Sequence, residues 1–333
     1  MKRLLVTGGA GFIGSAFTRW QLDHYPEVHV VVYDKLTYSG RRENLEGLDA
    51  SRVTFVQGDI ADGDMLGRAL EGCDALVNFA AESHVDRSLH GATDFINTNV
   101  MGTYVVLEQA RRAGLSRVLL VSTDEVYGSI EQGAFRETDP THPRNPYAAS
   151  KASGELFGVA FFETYGLPVL ITRGSNTYGP RQYPEKVLPL FVTNAIDDQP
   201  LPLYGDGRNV RDWLYVDDHC SAIDLVLRKG TPGEVYNIPG GNERENIVLT
   251  RKILEVLGKP ESLIRHVPDR VGHDRRYAID GTKLRALGWS PSMPWDMGIE
   301  RTVRWYVENE WWWRPIKSGE FRAFYEKHYG KLA

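Results

Sequence analysis

Short runs of valine, leucine and isoleucine alternate with longer helical patterns through the first half of this 333-residue chain. Such alternation is typical of βαβ units, in which helices join parallel strands. Runs such as Val118–Val121 lack the polar alternation of a strand with one wet face, so we expect strands covered on both sides. The sequence therefore predicts an α/β fold with a doubly wound parallel sheet. Its candidate strands are Arg3–Thr7, His29–Tyr33, Thr54–Val56, Ala75–Phe79, Val118–Ser122 and Val169–Thr172.

The texture of the sequence changes after about residue 173, where loops rich in proline and glycine separate shorter elements. We expect residues 1–173 to form the main sheet domain, with later segments returning to it. Residues 174–333 should form mainly a smaller C-terminal lobe. Two helices are predicted there, over Asn246–Leu257 and Trp295–Glu310.

Composition excludes several function classes. The net charge of −5 leaves no overall basic surface for nucleic acid or an anionic membrane. The apolar run at the N-terminus is too short for a signal peptide, and no apolar stretch is long enough to span a bilayer. The two cysteines, Cys73 and Cys220, do not suffice for a disulfide scaffold and favour a reducing compartment. We therefore expect a cytoplasmic protein.

A glycine-rich loop follows the first predicted strand. Residues 8–14 satisfy both GxxGxxG, from Gly8, and GxGxxG, from Gly9, and a helical pattern begins after them. Without Cβ atoms the backbone can approach a pyrophosphate at the positive end of a helix. Asp34 ends the next strand 20 residues after Gly14, which is the spacing of the carboxylate that contacts a dinucleotide ribose. The pattern predicts an NAD site, since Asp34 would repel the extra phosphate of NADP. The alternative is a structural turn with a surface aspartate.

Two further segments follow predicted strands, Asp59–Ile60 after the third and Phe79–Ala81 after the fourth. In such sheets the carboxyl ends of the strands face the ligand, so we expect both segments to line the cofactor. Taken alone, they would be turns and core residues.

Polar residues also cluster where the fifth predicted strand ends. Thr123, Asp124 and Glu125 follow that strand, while Tyr147 and Lys151 lie one turn apart on one face of a predicted helix. An ammonium group beside the phenol would lower the pKa of Tyr147 and let it take an alcohol proton. Adjacent carboxylates can divide acid and base roles if their pKa values differ. A solvated helix face and a loop with two solvated carboxylates are the structural alternatives.

Together these features resemble the extended short-chain dehydrogenase/reductase family, and the resemblance covers almost the whole chain. Within that family the pattern is most similar to nucleotide-sugar 4,6-dehydratases of the dTDP-glucose type. The matching segments are Ala80–Ser88, Ser122–Gly128, Asn176, Pro184–Lys186, Asn209–Trp213 and Gly272–Asp274. The resemblance implies a Rossmann-type domain over residues 1–173 that binds NAD, and a lobe over residues 174–333 that mainly binds the sugar nucleotide.

The resemblance further implies a lyase that converts dTDP-glucose to dTDP-4-keto-6-deoxyglucose in a closed redox cycle. Tyr147 would take the C4 hydroxyl proton as hydride leaves C4 for NAD, while Thr123 hydrogen-bonds that hydroxyl. Glu125 would then remove the C5 proton, and Asp124 would protonate the departing C6 hydroxyl. Hydride returns to C6, so NAD is regenerated and can stay bound. Lys151 would also hold the nicotinamide ribose.

By the same resemblance, particular residues contact each ligand. The expected cofactor contacts are Gly8, Gly11, Phe12, Ile13, Gly14, Asp34, Lys35, Leu36, Thr37, Asp59, Ile60, Phe79, Ala80, Ala81, Ser83, Thr98, Tyr147, Lys151 and Thr177. The expected substrate contacts are Ser83, Thr123, Asn176, Lys186, Val187, Pro202, Leu203, Tyr204, Arg211, Asn246, Arg270, His273 and Tyr277. Lys186 and Arg211 would hold the diphosphate.

Two positions depart from the family pattern. Thr177 stands where the family usually has a second asparagine, which puts one cofactor contact in question, and Val271 replaces a proline. No histidine pair has HxxxH or HExxH spacing, so we expect no metal. The segments Ile96–Ala110 and Ala152–Phe162 carry apolar faces that pair across a homodimer in the family, although burial within one subunit would explain them equally well.

Other functions use the same residues. A nucleotide-sugar epimerase, a decarboxylase or another nucleotide-sugar 4,6-dehydratase would share the cofactor site with Thr123, Tyr147 and Lys151, but the first two need no Asp–Glu pair. A non-catalytic sugar-nucleotide-binding regulator would keep the fold without turnover. The nucleobase and the downstream pathway are left open by the sequence.

Overall fold

A computed structural model describes residues 1–269, 272–318, 321, 325 and 329. The strands in these residues are β1 (Arg3–Thr7), β2 (His29–Asp34), β3 (Val53–Gln57), β4 (Ala75–Asn78), β5 (Arg117–Thr123), β6 (Val169–Gly174), β7 (Asn176–Tyr178), β8 (Leu201–Tyr204), β9 (Val210–Tyr215), β10 (Val235–Ile238), β11 (Glu243–Glu245) and β12 (Ile264–Val267). The α-helices are α1 (Phe12–His24), α2 (Gly63–Ala69), α3 (Val85–His90), α4 (Thr93–Phe95), α5 (Thr103–Arg112), α6 (Pro146–Tyr165), α7 (Val187–Ile196), α8 (Val216–Lys229), α9 (Asn246–Leu257), α10 (Thr282–Ala286), α11 (Trp295–Glu308) and α12 (Glu310–Trp313). Short 3-10 turns cover Arg42–Leu45, Asp124–Tyr127 and Glu261–Leu263, and Ile96–Gly102 is a π-helical segment.

The central sheet has seven strands in the order β10–β6–β5–β4–β1–β2–β3. Every neighbouring pair in it is parallel. The predicted doubly wound α/β fold is therefore confirmed, and all six predicted strands lie in this sheet. The seventh strand, β10, comes from beyond residue 173, so the chain returns to the sheet after leaving it.

The sheet is apolar on both faces because successive residues of each strand pack into different cores. In β1, Leu4 and Val6 belong to one buried cluster, together with Ile223 of α8. Leu5, between them, belongs to the opposite cluster, together with Leu107 of α5. This two-sided burial explains why the strand sequences lack polar alternation.

Two small sheets follow the sixth strand in sequence. In one, β9 pairs in parallel with β7 and antiparallel with β11. In the other, β8 pairs in parallel with β12. They carry several of the residues expected to contact the substrate.

Capping residues set the ends of the helices that matter for the site. Asn145 precedes α6 and accepts a hydrogen bond from the backbone of Ala148 at 2.8 Å, which is the usual function of an N-cap. Gly258 ends α9 in a left-handed conformation, at the predicted residue. The helix predicted over Trp295–Glu310 is instead interrupted at Asn309. In the described parts of the chain, no helix combines the length and apolarity needed to cross a membrane.

Candidate active site

A single cleft runs along the carboxyl ends of the central strands and encloses about 1600 Å³, counting the part open to solvent. This is the edge at which ligands bind in open parallel sheets. The five residues expected to perform the chemistry all line it: Thr123, Asp124, Glu125, Tyr147 and Lys151. The fold therefore brings β5 and α6 together at one site.

The glycine loop forms a tight floor at one end of the cleft. A Cβ atom on Gly14 would lie 2.3 Å from the carbonyl oxygen of Gly8, and one on Gly8 would lie 2.6 Å from the backbone nitrogen of Ala80. Gly8 also has a φ of +63°, which favours glycine. Gly8, Gly11 and Gly14 line the cleft, so this loop uses the GxxGxxG register. Helix α1 begins directly after Gly11 and points its positive end at the loop.

Asp34 is held at the end of β2 by backbone donors. Its carboxylate accepts hydrogen bonds from Ala10 at 2.9 Å and from Leu36 at 2.8 Å. Burial raises the pKa of Asp34 above its ordinary value, and these two bonds oppose the shift. The carboxylate therefore has a fixed position beside the glycine loop, as an acceptor for ribose hydroxyls requires.

The next strand end carries a more exposed pair. Lys35 and Asp59 form a salt bridge of 2.7 Å at the rim of the cleft. Both side chains are more than a third exposed, so the pair contributes little to stability. The pair belongs to the lining of the cleft, as does the glycine loop.

Tyr147 is buried and Lys151 is half-buried, and desolvation is the largest cause of the pKa shift of each. The pKa of Tyr147 is raised well above its ordinary value by burial and by the Glu125 carboxylate, while a hydrogen bond with Thr123 opposes the shift. The prediction that Lys151 lowers this pKa is therefore wrong for the protein by itself, because desolvation outweighs any stabilisation of the phenolate. Lys151 donates to the backbone oxygen of Val121 at 2.8 Å. Burial lowers the pKa of Lys151 to about 8, against the attraction of Glu155.

Asp124 and Glu125 are adjacent in sequence but have different surroundings. Burial and the neighbouring Glu125 hold the pKa of Asp124 well above its ordinary value. One Asp124 oxygen accepts from Thr123 at 3.3 Å, and Oδ2 is buried with no hydrogen-bond partner among the described residues. The raised pKa favours the protonated form of Asp124, which is the form that a general acid needs.

Glu125 faces hydrogen-bond donors instead. Its Oε2 accepts a hydrogen bond from Asn145 at 3.3 Å and lies 3.5 Å from the hydroxyl oxygen of Tyr277. The two neighbouring carboxyl groups thus have different surroundings within one cleft, Asp124 buried and Glu125 beside a side-chain amide donor.

Tyr277 connects the carboxylates to a buried cation. Its hydroxyl donates to Asp274 at 2.7 Å, and the guanidinium carbon of Arg211 lies 4.4 Å from the centre of its ring. Arg211 donates to the backbone oxygens of Val210 and Asp274 and is 5% exposed. Lys186 lines the cleft and donates to the backbone oxygen of Ser83 at 2.6 Å. Of the two cations expected to hold a diphosphate, Lys186 therefore lies in the cleft lining, and Arg211 is buried beside Tyr277.

Almost all of the expected cofactor contacts line the cleft, whereas most of the expected substrate contacts do not. Among cofactor contacts, Leu36 alone is not part of the lining. The substrate contacts in the lining are Ser83, Thr123, Asn176 and Lys186. Those outside it are Val187, Pro202, Leu203, Tyr204, Arg211, Asn246, His273 and Tyr277. Arg270 and Val271 lie outside the described residues.

Several residues in or beside the cleft had no role predicted from the sequence. Asn145 precedes a proline at a helix start, which is a recognisable capping signal, but its contact with Glu125 depends on the tertiary fold. His219 of α8 lines the cleft although it belongs to none of the predicted motifs. Glu82 and Glu185 also line it, and burial raises the pKa of Glu82.

The site fits a dinucleotide such as NAD. The glycine floor leaves no room for side chains, and Asp34 stands beside it. Buried polar atoms without hydrogen-bond partners in the described protein occur at the other end, on Ser122, Asp124, Asn176 and His219. Buried polar groups need partners, which a ligand would supply. Within the described residues no group of three or more His, Cys, Asp or Glu side chains is arranged to hold a metal ion.

Comparison with known proteins gives consistent matches. A family model described as GDP-mannose 4,6 dehydratase matches residues 5–302. A dTDP-glucose 4,6-dehydratase from Streptomyces niveus is 52% identical over 322 residues, covering 95% of this chain and 96% of that protein.

Two solved structures are similar to this chain over most of its length. The crystal structure of DesIV, a dTDP-glucose 4,6-dehydratase from Streptomyces venezuelae with NAD bound, is 55% identical, has a TM-score of 0.93, and is matched over 95% of this chain and 100% of that chain. A UDP-glucose 4-epimerase from Thermus thermophilus in complex with NAD is 32% identical, has a TM-score of 0.86, and is matched over 92% of this chain and 99% of that chain.

Proposed function

This chain belongs to the family described by the GDP-mannose 4,6 dehydratase model, and we propose that it dehydrates dTDP-glucose to dTDP-4-keto-6-deoxyglucose with NAD as its bound cofactor. The observation that carries the proposal is the buried Asp124 next to Glu125, in the same cleft as Thr123 and Tyr147, with the pKa of Asp124 raised by burial and by Glu125. Oxidation at C4 alone needs Thr123, Tyr147 and Lys151. Elimination of water needs an acid and a base in addition, and this cleft has both.

The first half of the reaction takes place around Tyr147. Thr123 hydrogen-bonds the phenol and the C4 hydroxyl, and Tyr147 accepts the hydroxyl proton as C4 is oxidised. NAD, when bound, supplies the hydride acceptor, and its positively charged ring favours the phenolate. Lys151 adds a second positive charge and holds the ribose of the cofactor. These charges offset the burial that keeps Tyr147 protonated at rest.

The second half depends on the two carboxyl groups. The C4 ketone acidifies the C5 proton, which Glu125 removes as general base. Asp124 protonates the departing C6 hydroxyl, since its raised pKa favours the protonated form. Glu125 returns a proton to C5 when hydride comes back to C6. The cofactor ends in its starting state, so it can remain bound through many turnovers.

Residues 1–173 are proposed to form the NAD-binding domain, together with later segments, and residues 174–333 mainly the sugar-nucleotide lobe. The location of the glycine floor and Asp34 at one end of the cleft supports cofactor binding there. The diphosphate of the substrate is assigned to Lys186, which lines the cleft, and to Arg211, which is buried beside Tyr277. The other expected contacts with both ligands are carried into this proposal unchanged, apart from Arg270, which is outside the described residues.

A homodimer is proposed from an apolar surface on two neighbouring helical segments. Ile96, Met101, Leu156 and Val159 are each between 42% and 66% exposed, and residues of this kind together mark an interface. A Leu156→Lys variant should shift the protein to the monomer in analytical ultracentrifugation. An unchanged sedimentation coefficient would exclude this face. A cytoplasmic location is proposed from the two cysteines, both of which are free thiols.

The proposed reaction is tested by incubating the purified protein with dTDP-glucose and no added NAD. We expect a product lighter by one water with a new carbonyl, and no net reduced cofactor. An epimerase would give a product of unchanged mass, and a decarboxylase would not act on this sugar. Unchanged substrate after NAD is supplied would refute the assignment, and the UDP, CDP and GDP sugars would then be compared.

A further inference from the structure

His219 occupies an unusual position in the cleft. It lies in the first turns of α8, is 2% exposed, and lines the cleft. Its Nε2 atom is buried and has no hydrogen-bond partner among the described residues. An unsatisfied buried imidazole nitrogen costs free energy, so its retention in a ligand cleft calls for a partner from outside the protein.

The location of His219 indicates which end of the cleft it serves. A Cβ atom on Gly174 would lie 2.7 Å from His219 Nε2. Gly174 is the register partner of Thr123 in the parallel pair β5–β6. His219 therefore faces the end of the cleft where Thr123 and Tyr147 react, and not the end formed by the glycine loop and Asp34.

Neighbouring hydrogen bonds determine the tautomer of the imidazole. Thr177 donates its hydroxyl proton to the backbone oxygen of Ser175 at 3.2 Å. The same hydroxyl oxygen lies 2.8 Å from His219 Nδ1, so Nδ1 carries the proton and donates it to Thr177. Burial lowers the pKa of His219 to about 3, so the ring is neutral at physiological pH. Nε2 then presents a lone pair and accepts hydrogen bonds only.

We propose that His219 binds the nicotinamide half of NAD by accepting a hydrogen bond at Nε2 from the carboxamide N–H, and that Thr177 positions the ring for this contact. The inference rests on the proposed use of NAD but not on which sugar is dehydrated. The proposal also gives Thr177 a role in cofactor binding, because its hydroxyl holds the ring of His219.

Two conservative variants separate this contact from a structural role. His219→Gln places an amide group near the position of Nε2, whereas His219→Asn places one near Nδ1 and deletes Nε2. The affinity of each variant for NAD is compared with its affinity for ADP-ribose, which lacks nicotinamide, by competition on the NAD-loaded protein. The ratio of the two affinities isolates contacts with the nicotinamide half.

We expect His219→Asn to lower the ratio of NAD to ADP-ribose affinity about tenfold, which corresponds to about 1.4 kcal/mol. His219→Gln should largely retain the ratio. Thr177→Val should lower it by a smaller factor, because the ring loses the acceptor that fixes its tautomer. The matched control is Thr54→Val, which breaks a similar contact of 2.8 Å with His29 away from the cleft and should leave the ratio unchanged.

Three results would overturn the proposal. Equal losses of NAD and ADP-ribose affinity would indicate a structural role, and so would a ratio retained by His219→Asn but lost by His219→Gln. An unchanged ratio in all His219 and Thr177 variants would exclude the contact. If His219→Asn does not fold, Thr177→Val alone decides between these outcomes. Failure of the proposed sugar reaction is seen separately, since wild-type protein would then bind NAD normally and leave dTDP-glucose unchanged.

Discussion

Replacing Asp124 by asparagine separates oxidation at C4 from elimination of water. The amide is neutral and has nearly the shape of the protonated carboxyl group, so it can keep the 3.3 Å contact with Thr123. It cannot donate an acidic proton to the C6 hydroxyl. We therefore expect binding and the first redox step to survive in Asp124→Asn and the elimination to fail.

The size of the effect follows from the surroundings of Asp124. Its Oδ2 atom is buried, without a protein partner among the described residues, and its pKa is raised by burial and Glu125. An acid held in this state contributes the full effect of general acid catalysis, about 10²–10⁴-fold. The barrier to elimination should therefore rise by about 3–5 kcal/mol.

Single-turnover absorbance measures the two steps separately. The variant should develop the near-ultraviolet absorbance of reduced nicotinamide and keep it, whereas the wild-type signal should decay as the product forms. Asp224→Asn is the matched control, because Asp224 is a buried aspartate that accepts from Gln21, Tyr25 and Arg228 outside the cleft. It should lose stability and keep wild-type kinetics. Elimination at the wild-type rate in Asp124→Asn would refute the acid role, and loss of the absorbance change would show that the residue acts before elimination.

Three further substitutions give independent predictions. Gly14→Ala should abolish retention of NAD through purification, because the new Cβ atom would lie 2.3 Å from the carbonyl oxygen of Gly8. The control Gly91→Ala, whose Cβ would have no atom within 4 Å, should retain NAD. Equal retention of NAD by both variants would contradict the steric argument. Asp34→Asn should raise the affinity for NADP relative to NAD in a binding titration, since it removes the charge that repels the extra phosphate; an unchanged ratio would show that Asp34 does not select the cofactor. Lys151→Met should abolish turnover. It should also stabilise the nucleotide-free protein against urea denaturation by about 3 kcal/mol at pH 7, because burial lowers the pKa of Lys151 from 10.5 to about 8. Between pH 8 and pH 10.5 the folded protein binds fewer protons than the unfolded chain, so the stability of the wild type rises over that range. The stability advantage of the variant should therefore shrink by pH 10.5. A variant less stable than the wild type at pH 7 would contradict this prediction.

The sheet could be predicted well because its strands are marked locally. β1 has the predicted bounds, and the other predicted strands differ only at their ends. These strands are buried on both faces, so their apolar runs are uninterrupted. β10 has only four residues and lies among glycine and proline turns, which explains why the sequence did not mark it as a strand. Its position beside β6 depends on long-range packing.

The catalytic residues could be predicted because strand ends and helix turns place them by rule. Thr123 lies at the end of β5, and Tyr147 and Lys151 lie one turn apart on α6. Their electrostatics could not be predicted in the same way. The pKa of Tyr147 is raised by burial and by the negative charge of Glu125. The spacing of Tyr147 and Lys151 in the sequence predicts neither effect.

Residues from the second half of the chain were harder to assign. His219 reaches the cleft through α8 and looks like an ordinary structural residue in sequence. The same holds for Asn145 in the first half of the chain, which caps α6 and contacts Glu125. The hydroxyl of Tyr277 lies 3.5 Å from Glu125, and Arg211 stacks on the ring of Tyr277, although these residues are far apart in sequence. Tertiary contacts alone bring these side chains to the site.

Internal transfer of hydride is the central claim, and dTDP-glucose carrying deuterium at C4 tests it most directly. In the proposed cycle the label leaves C4, is held on the bound cofactor and returns to C6 of the same sugar. Mass spectrometry should therefore find the product lighter by one water, with the deuterium retained at C6 and no net reduction of NAD. Loss of the label to solvent, its accumulation on released reduced cofactor, or its return to C4 would contradict the account.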